Sequence, residues 1–415
     1  MTVVPEDQAA DVPVAAGRPP TQADLDRWLA ADEAARPQRL ERLRERLDQE
    51  GVDAYFGVRR ENSRYLTGFD LADGEEKVAG NSGQFLVSAD EVIVLADSRY
   101  TVQAQEQCRD ARIEPVYHDL AGRWRELLSG LRGVRGDVRR IGVEAGFVSH
   151  AMWQALAAAA PQVELVPAEG WVERLRATKE SVELERIASA CAVADAALER
   201  LLPAIRIGVT ERDLALQLEW EMRTRGAEAL AFDVACLSGP RAALPHGAPG
   251  SRQLEAGEVL LFDFGAQVCG YRSDMTRTLF VGEPRQRDVE IYELVGRAQD
   301  AAFAALDRAL AAGDPPAARD IDGAARKIIA AAGHAEHFGH GLGHGIGLAT
   351  HEAPSLGRSV PPDALLPSPT VFSVEPGVYI DHVTGVRIED LVLFDLAAGR
   401  LARLTSFPRG LTVVA

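Results

Sequence analysis

The sequence predicts an α/β domain followed by a second domain in which two helices and then a set of strands occur twice. Three observations carry this expectation. At 415 residues the chain exceeds what one hydrophobic core usually organises, so two domains are expected. From Arg39 to about residue 165, short strand-like apolar runs alternate with helically spaced ones. Beyond Lys179 the rhythm becomes helix, helix, strands, and that order repeats.

Residues 1–36 are rich in Ala, Pro, Asp and Glu and read as a tail with at most a short helix around Leu25 to Leu29. Leu40, Leu43 and Leu47 then recur at helical spacing before Gly51, and Ala54 to Val58 reads as a strand. Strands at Gln84 to Val87, Val92 to Leu95 and Ile141 to Val143, with helices across Tyr100 to Cys108 and Trp124 to Leu131, complete a first domain over residues 37–165. Residues 166–178 read as a linker. The second domain, 179–415, opens on a helix with the apolar stripe Leu184, Ile187, Cys191, Ala194 and Leu198. A second helix starts at Thr210, where Thr210 and Asp213 have capping-box spacing. Strands are expected near 230–238, 258–267 and 273–281, helices near 286–312 and 318–332, and further strands near 338–348, 371–379 and 386–394.

Composition narrows the function. The 62 acidic residues outnumber 45 basic ones for a net charge of -17, which excludes nucleic acid as the expected partner. No apolar run approaches the roughly 20 residues of a membrane-spanning helix, and Glu6, Asp7 and Asp11 precede the first basic residue, Arg18, unlike a secretory signal. The four cysteines form no close pair, which suggests reduced thiols and a cytoplasmic protein.

Two segments carry the chemistry. VLLFDFGAQVCGYRSDMTRTLF reads as a β-hairpin, and a turn centred between Val268 and Cys269 places Asp263 directly opposite Asp274. In TVFSVEPGVYIDHVTGVRIEDLVLF a hairpin centred on His382 places Glu375 opposite Glu389. Carboxylates facing each other about 5 Å apart on otherwise apolar strands repel and lose hydration, so a proton or a cation must lie between them. Either acid alone could point to solvent, but two such pairs favour a metal site.

Between the hairpins, HFGHGLGHGIGLATHE alternates glycine with His340, Leu342, His344 and Ile346, and so puts both histidines on one face of an extended segment. Six of the nine histidines fall between His334 and His382. Four carboxylates with one or two histidines suit two divalent ions, Mn(II) first and Co(II) or Zn(II) as alternatives. Hydrolysis is the reaction such a pair of ions supports.

At these residues the sequence resembles the pita-bread metallopeptidases, the family of Xaa-Pro aminopeptidase, prolidase, methionine aminopeptidase and creatinase, over about residues 37–412. Asp263 in FDFG, Asp274 in SDMTRT, His344 in HGLGHGIGL, Glu375 in VEPGVYI and Glu389 in VRIED match the family's five metal ligands. The resemblance also implies that His246 in ALPHG and His351 in THEAP contact substrate. It makes Glu375 the proton acceptor as well as a ligand, and it places His340 and Arg387 either behind the metal ligands or beside the substrate. ENSRYLTGF and DSRYTVQA resemble the creatinase-type N-terminal domain. The implied fold is that domain followed by a pita-bread catalytic domain, with a curved antiparallel sheet and an internal pseudo-twofold duplication.

The implied function is hydrolysis of the bond between an N-terminal residue and a following proline by a homodimeric aminopeptidase. Alternatives are an Xaa-Pro dipeptidase, a relative acting on a small non-peptide substrate, and an inactive peptide-binding module. The intact ligand set counts against the last.

Overall fold

The computed structural model describes residues 2–3, 12–116 and 119–414. The chain divides into two compact units, Asp26–Arg176 and Ala177–Ala415 with Met1–Leu25.

The first unit is built on one six-stranded mixed sheet in the spatial order Arg112–Glu114, Val92–Leu95, Phe85–Val87, Ala54–Gly57, Arg140–Val143, Glu164–Pro167. The last three strands run parallel to one another, which requires crossover connections. Ala54–Gly57, Phe85–Val87 and Val92–Leu95 are buried along their whole length, the burial expected of interior strands. Trp124, on the helix Leu120–Ser129, packs edge-on against Phe56 with ring centroids 5.1 Å apart. Asp119 caps that helix by accepting from the Gly122 amide.

Two sequence expectations are corrected in and beside this unit. Residues 22–36 are not a tail, since a helix runs from Gln22 to Gln49. It starts where Thr21 and Asp24 bond reciprocally, Asp24 accepting from the Thr21 amide at 2.9 Å and the Thr21 hydroxyl from the Asp24 amide at 3.3 Å. Ahead of it, Val12 is buried in the second unit's core, and Pro13 and Ala15 exchange backbone hydrogen bonds with Arg403. The remainder of the expected tail, apart from Thr2–Val3 in an edge strand, lies outside the described residues. The 166–178 stretch is not a bare linker either, because it ends the strand Glu164–Pro167 and forms the helix Trp171–Ala177.

In the second unit the helices Ser181–Leu201 and Glu211–Thr224 precede a five-stranded sheet, and Gln286–Ala312 and Ala318–Ala331 precede another. The first sheet is centred on the antiparallel pair Glu258–Phe264 and Met275–Val281, the second on Thr370–Val374 and Asp390–Asp395. Phe280, Phe303, Leu306, Phe372 and Val392 join both sheets and the helix Gln286–Ala312 in one apolar core.

The two hairpins differ in how well their register follows from the sequence. In the second, Val374 pairs with Asp390 and Gly377 with Arg387, so Glu375 stands opposite Glu389 across the intervening break. In the first, Asp263 pairs with Thr276, not with Asp274. The turn is centred one residue later than expected because Cys269 and Gly270 both adopt left-handed conformations, φ 46° and 81°. A two-residue turn of this kind matches strand twist and demands glycine or a tolerant residue at both positions. Asp274 therefore lies diagonal to Asp263 on the same face, a separation of roughly 7–8 Å between backbones. The histidine segment is shorter as a strand than expected, spanning only Gly343–Gly345 with a register shift after His344.

Candidate metal centre

Asp263, Asp274, His344, Glu375 and Glu389 all line one cavity of about 540 Å³, together with His246, His340, His351 and Arg387. All nine residues singled out in the sequence thus come together, although they come from six separate segments.

Glycine explains how the histidine strand fits. A Cβ at residue 343 would lie 1.9 Å from the Ser373 carbonyl oxygen, and one at residue 345 would lie 2.2 Å from that of Ala353. Only glycines allow both neighbouring backbones to close on His344. Its Nδ1 faces the Gly345 carbonyl oxygen at 3.1 Å and so carries the proton. The unprotonated Nε2 then faces Glu375 Oε1 at 3.4 Å and Asp274 Oδ2 at 3.5 Å. Burial lowers the His344 pKa, keeping the ring neutral, so these contacts bring a lone pair toward carboxylate oxygens.

Asp274, His344 and Glu389 offer donor atoms that all lie within 4.8 Å of one another. Burial first, and then the neighbouring carboxylates, push the Asp274 and Glu389 carboxyls well above their ordinary range. Burial likewise raises Glu375. Asp274 Oδ1 is buried with no hydrogen-bond partner among the described residues. A divalent cation fits this set, since it would satisfy the orphaned oxygen and offset the burial and mutual repulsion that raise these carboxyls.

One cation is built into the wall. Arg387 donates to Asp263 Oδ2 at 2.5 Å, to the Tyr379 hydroxyl at 2.7 Å and to Thr276 Oγ1 at 2.8 Å. Thr276 in turn donates to Glu389 Oε2 at 2.7 Å, and Ser373 donates to Glu375 Oε1 at 3.0 Å. His340 Nδ1 faces the Gly341 carbonyl oxygen at 2.7 Å, leaving Nε2 as acceptor for the Tyr379 hydroxyl at 2.9 Å. The ring of His351 lies against that of His344, centroids 4.1 Å apart, and burial lowers its pKa to about 4.

Sequence reasoning missed Tyr379, Thr276 and Ser373. Each lies two or four residues from a carboxylate or arginine already singled out, and strand alternation places it on the same face as Glu375, Asp274 or Arg387. That period-two signal could have found them.

The profile for metallopeptidase family M24 matches residues 185–395, and that for the creatinase/prolidase N-terminal domain matches residues 39–178. The chain is 32% identical to an Xaa-Pro dipeptidase of Pyrococcus furiosus over 374 residues, 90% of this chain and 99% of the relative. Among solved structures it resembles an Xaa-Pro dipeptidase from Bacillus anthracis, with a TM-score of 0.78 and 32% identity over 91% of this chain and 99% of the other. It also resembles an X-Pro aminopeptidase from Thermotoga maritima, with a TM-score of 0.78 and 32% identity over 90% of this chain and 99% of the other. A cavity whose buried carboxylates and neutral histidine fit a divalent cation, on a chain matched along most of its length, leads to one conclusion: the protein belongs to metallopeptidase family M24 and carries a creatinase/prolidase N-terminal domain.

Proposed function

We propose that this chain is a dinuclear metallopeptidase that hydrolyses the bond between an N-terminal residue and a following proline, with aminopeptidase action as the first reading. The observation that carries the proposal is the orphaned Asp274 Oδ1 inside a cluster of raised carboxyls, in a cavity lined also by His246, His340 and His351. The names of the relatives, Xaa-Pro dipeptidase and X-Pro aminopeptidase, support the substrate class. Their frequent designation as dipeptidases favours Xaa-Pro dipeptidase action as the second reading.

Asp263, Asp274, His344, Glu375 and Glu389 would hold two divalent ions, Mn(II) in the first instance with Co(II) or Zn(II) as substitutes. When bound, these supply Lewis acidity for the scissile carbonyl and a water nucleophile at neutral pH. Glu375, held by the Ser373 hydroxyl, accepts the proton of the attacking water. His246 and His351 line the cavity and hold the scissile carbonyl and the departing amine. The Arg387 guanidinium, fixed by Thr276 and Tyr379, keeps the Asp263 carboxylate oriented.

We further infer a cytoplasmic homodimer. Four buried cysteines that form no disulfide among the described residues support a reducing compartment. Among the described residues no helix is long and apolar enough to cross a membrane. The test of function is release of free amino acid from a Gly-Pro dipeptide and from a longer Xaa-Pro-Xaa peptide, using protein stripped of metal and then given Mn(II). Cleavage of the longer peptide establishes the aminopeptidase, cleavage of the dipeptide alone the dipeptidase. Cleavage of neither by protein holding two ions rejects the Xaa-Pro assignment.

A further inference from the structure

His351 reaches the cavity from a loop, and its ring receives no hydrogen bond from any side chain among the described residues. What sets its position must therefore be the chain on either side. Thr350 donates its hydroxyl to the Ala231 carbonyl at 2.9 Å, and Arg272 donates to that same carbonyl at 2.6 Å and to the Thr350 hydroxyl at 3.1 Å. On the other side, Glu352 Oε1 accepts from Lys179 Nζ at 2.9 Å, and its Oε2 accepts from the Ala349 amide at 3.3 Å.

The Lys179–Glu352 pair is wholly withdrawn from water, its side chains 0% and 1% exposed. Such a pair regains in mutual attraction little more than it loses in hydration, so stability alone is a poor reason for it. Three further features tie it to the site. Glu352 stands opposite Gly345 in the strand register, one residue from His344. A Cβ at Gly347 would meet Glu352 Oε1 at 2.4 Å and Lys179 Cε at 3.3 Å, so the histidine segment is bare where the pair packs on it. The Lys179 amide is itself anchored on the Pro369 carbonyl at 2.8 Å, at the entrance to the strand that leads to Glu375. The chain is also overwhelmingly arginine-based, with Lys77, Lys179 and Lys327 as its only lysines among 45 basic residues, and the other two are exposed. A compact ammonium with three donors suits this enclosed position, where the five donors of a guanidinium fork would need more acceptors.

We propose that Lys179 is a positioning residue: its buried ion pair with Glu352, opposed by the Arg272–Thr350–Ala231 clamp, holds the loop that sets the His351 ring against His344. The catalytic consequence rests on the Xaa-Pro peptidase reading given above. The positional consequence does not.

The experiment uses the full-length, metal-loaded chain and removes the whole pair, in K179M/E352M, so that no unpaired charge is left buried. The double variant should bind the same two ions and lower kcat about 10- to 100-fold with KM changed less than about twofold, as expected when a reacting group is slightly misplaced. In the H351A background the same double substitution should cost no further loss of kcat, because the pair acts through His351. A merely structural pair would lower kcat by the same factor in both backgrounds, and that result, or an unchanged kcat in K179M/E352M, overturns the proposal. Carbethoxylation of His351, followed by mass spectrometry, gives a readout that needs no substrate. Faster modification in the double variant supports positioning and an unchanged rate overturns it. Should the wild-type chain cleave no Xaa-Pro peptide, the functional reading fails while this second readout still decides the structural one.

Discussion

Thr276 donates its hydroxyl to Glu389 at 2.7 Å, and this bond joins one carboxylate hairpin of the catalytic domain to the other. The same oxygen accepts from Arg387 Nε at 2.8 Å, so one threonine orients a carboxylate and the guanidinium beside it. The Glu389 amide completes the junction by donating to the Thr276 carbonyl.

Thr276→Val keeps the shape and deletes that oxygen. Two buried polar groups each lose a partner, so stability should fall by about 1–3 kcal/mol. Affinity for the divalent ion should fall about 10- to 100-fold, the usual consequence of removing an outer hydrogen bond to a metal ligand. Thermal unfolding of the stripped protein and calorimetric metal titration measure the two separately. A variant with wild-type metal affinity would show that Glu389 needs no such orientation.

Tyr379 stands between His340 and Arg387, accepting from the arginine and donating to the imidazole. In Tyr379→Phe both groups remain but the link is gone, and Arg387 keeps Asp263 and Thr276 as partners. Turnover should fall about 10-fold or more, with stability changed by about 1 kcal/mol. Steady-state kinetics with parallel melts separates the two effects, and a loss confined to stability would reject a role for the hydroxyl in catalysis.

Removal of metal should abolish peptide hydrolysis and lower the melting temperature of the catalytic domain. Ions that bind only the folded chain stabilise it by mass action, about 2.7 kcal/mol at a free concentration one hundred times Kd. Scanning calorimetry of stripped and Mn(II)-loaded protein tests this. Coincident transitions, with ions confirmed absent from one sample and present in the other, would mean that the carboxylate cluster is not where they bind.

Asp97 in the N-terminal domain supplies a pH prediction away from the metal centre. The Arg99 guanidinium, bonded to it through Nε and Nη2, holds its carboxyl below the usual range. Because the folded value lies below the unfolded one near 3.9, the contribution is fully present above that value. It is lost as pH falls through it toward the folded value. Wild type should therefore be more stable than D97N at pH 6, and the gap should shrink in acid. Denaturant midpoints across pH 6 to 3 measure it, and a gap that stays constant would mean the ion pair contributes nothing.

What was legible in the sequence follows from how far each relationship reaches along the chain. Residue types and short spacings single out the four carboxylates and put His340 and His344 on one face, the resemblance to the pita-bread metallopeptidases picks out His344 between them, and the symmetric run about His382 puts Glu375 opposite Glu389, as the ladders on both sides require. The Thr21–Asp24 capping pair that starts the first helix was missed, although T-x-x-D has the spacing of such a pair. The Asp263 register went astray by one position because it turns on two left-handed residues, and Cys269 is not a residue whose identity announces such a conformation. Thr276 with Glu389 and Lys179 with Glu352 are 113 and 173 residues apart, and no local pattern links them. By itself the sequence determined which carboxylates and histidines the chain carries and which local faces they share, because alternation along a strand is a property of the backbone. Only the tertiary structure decided which carboxylates face one another, which of them Arg387 neutralises and which oxygen of Asp274 is left without a partner among the described residues, because burial and charge proximity are set by segments that meet only when the chain has folded.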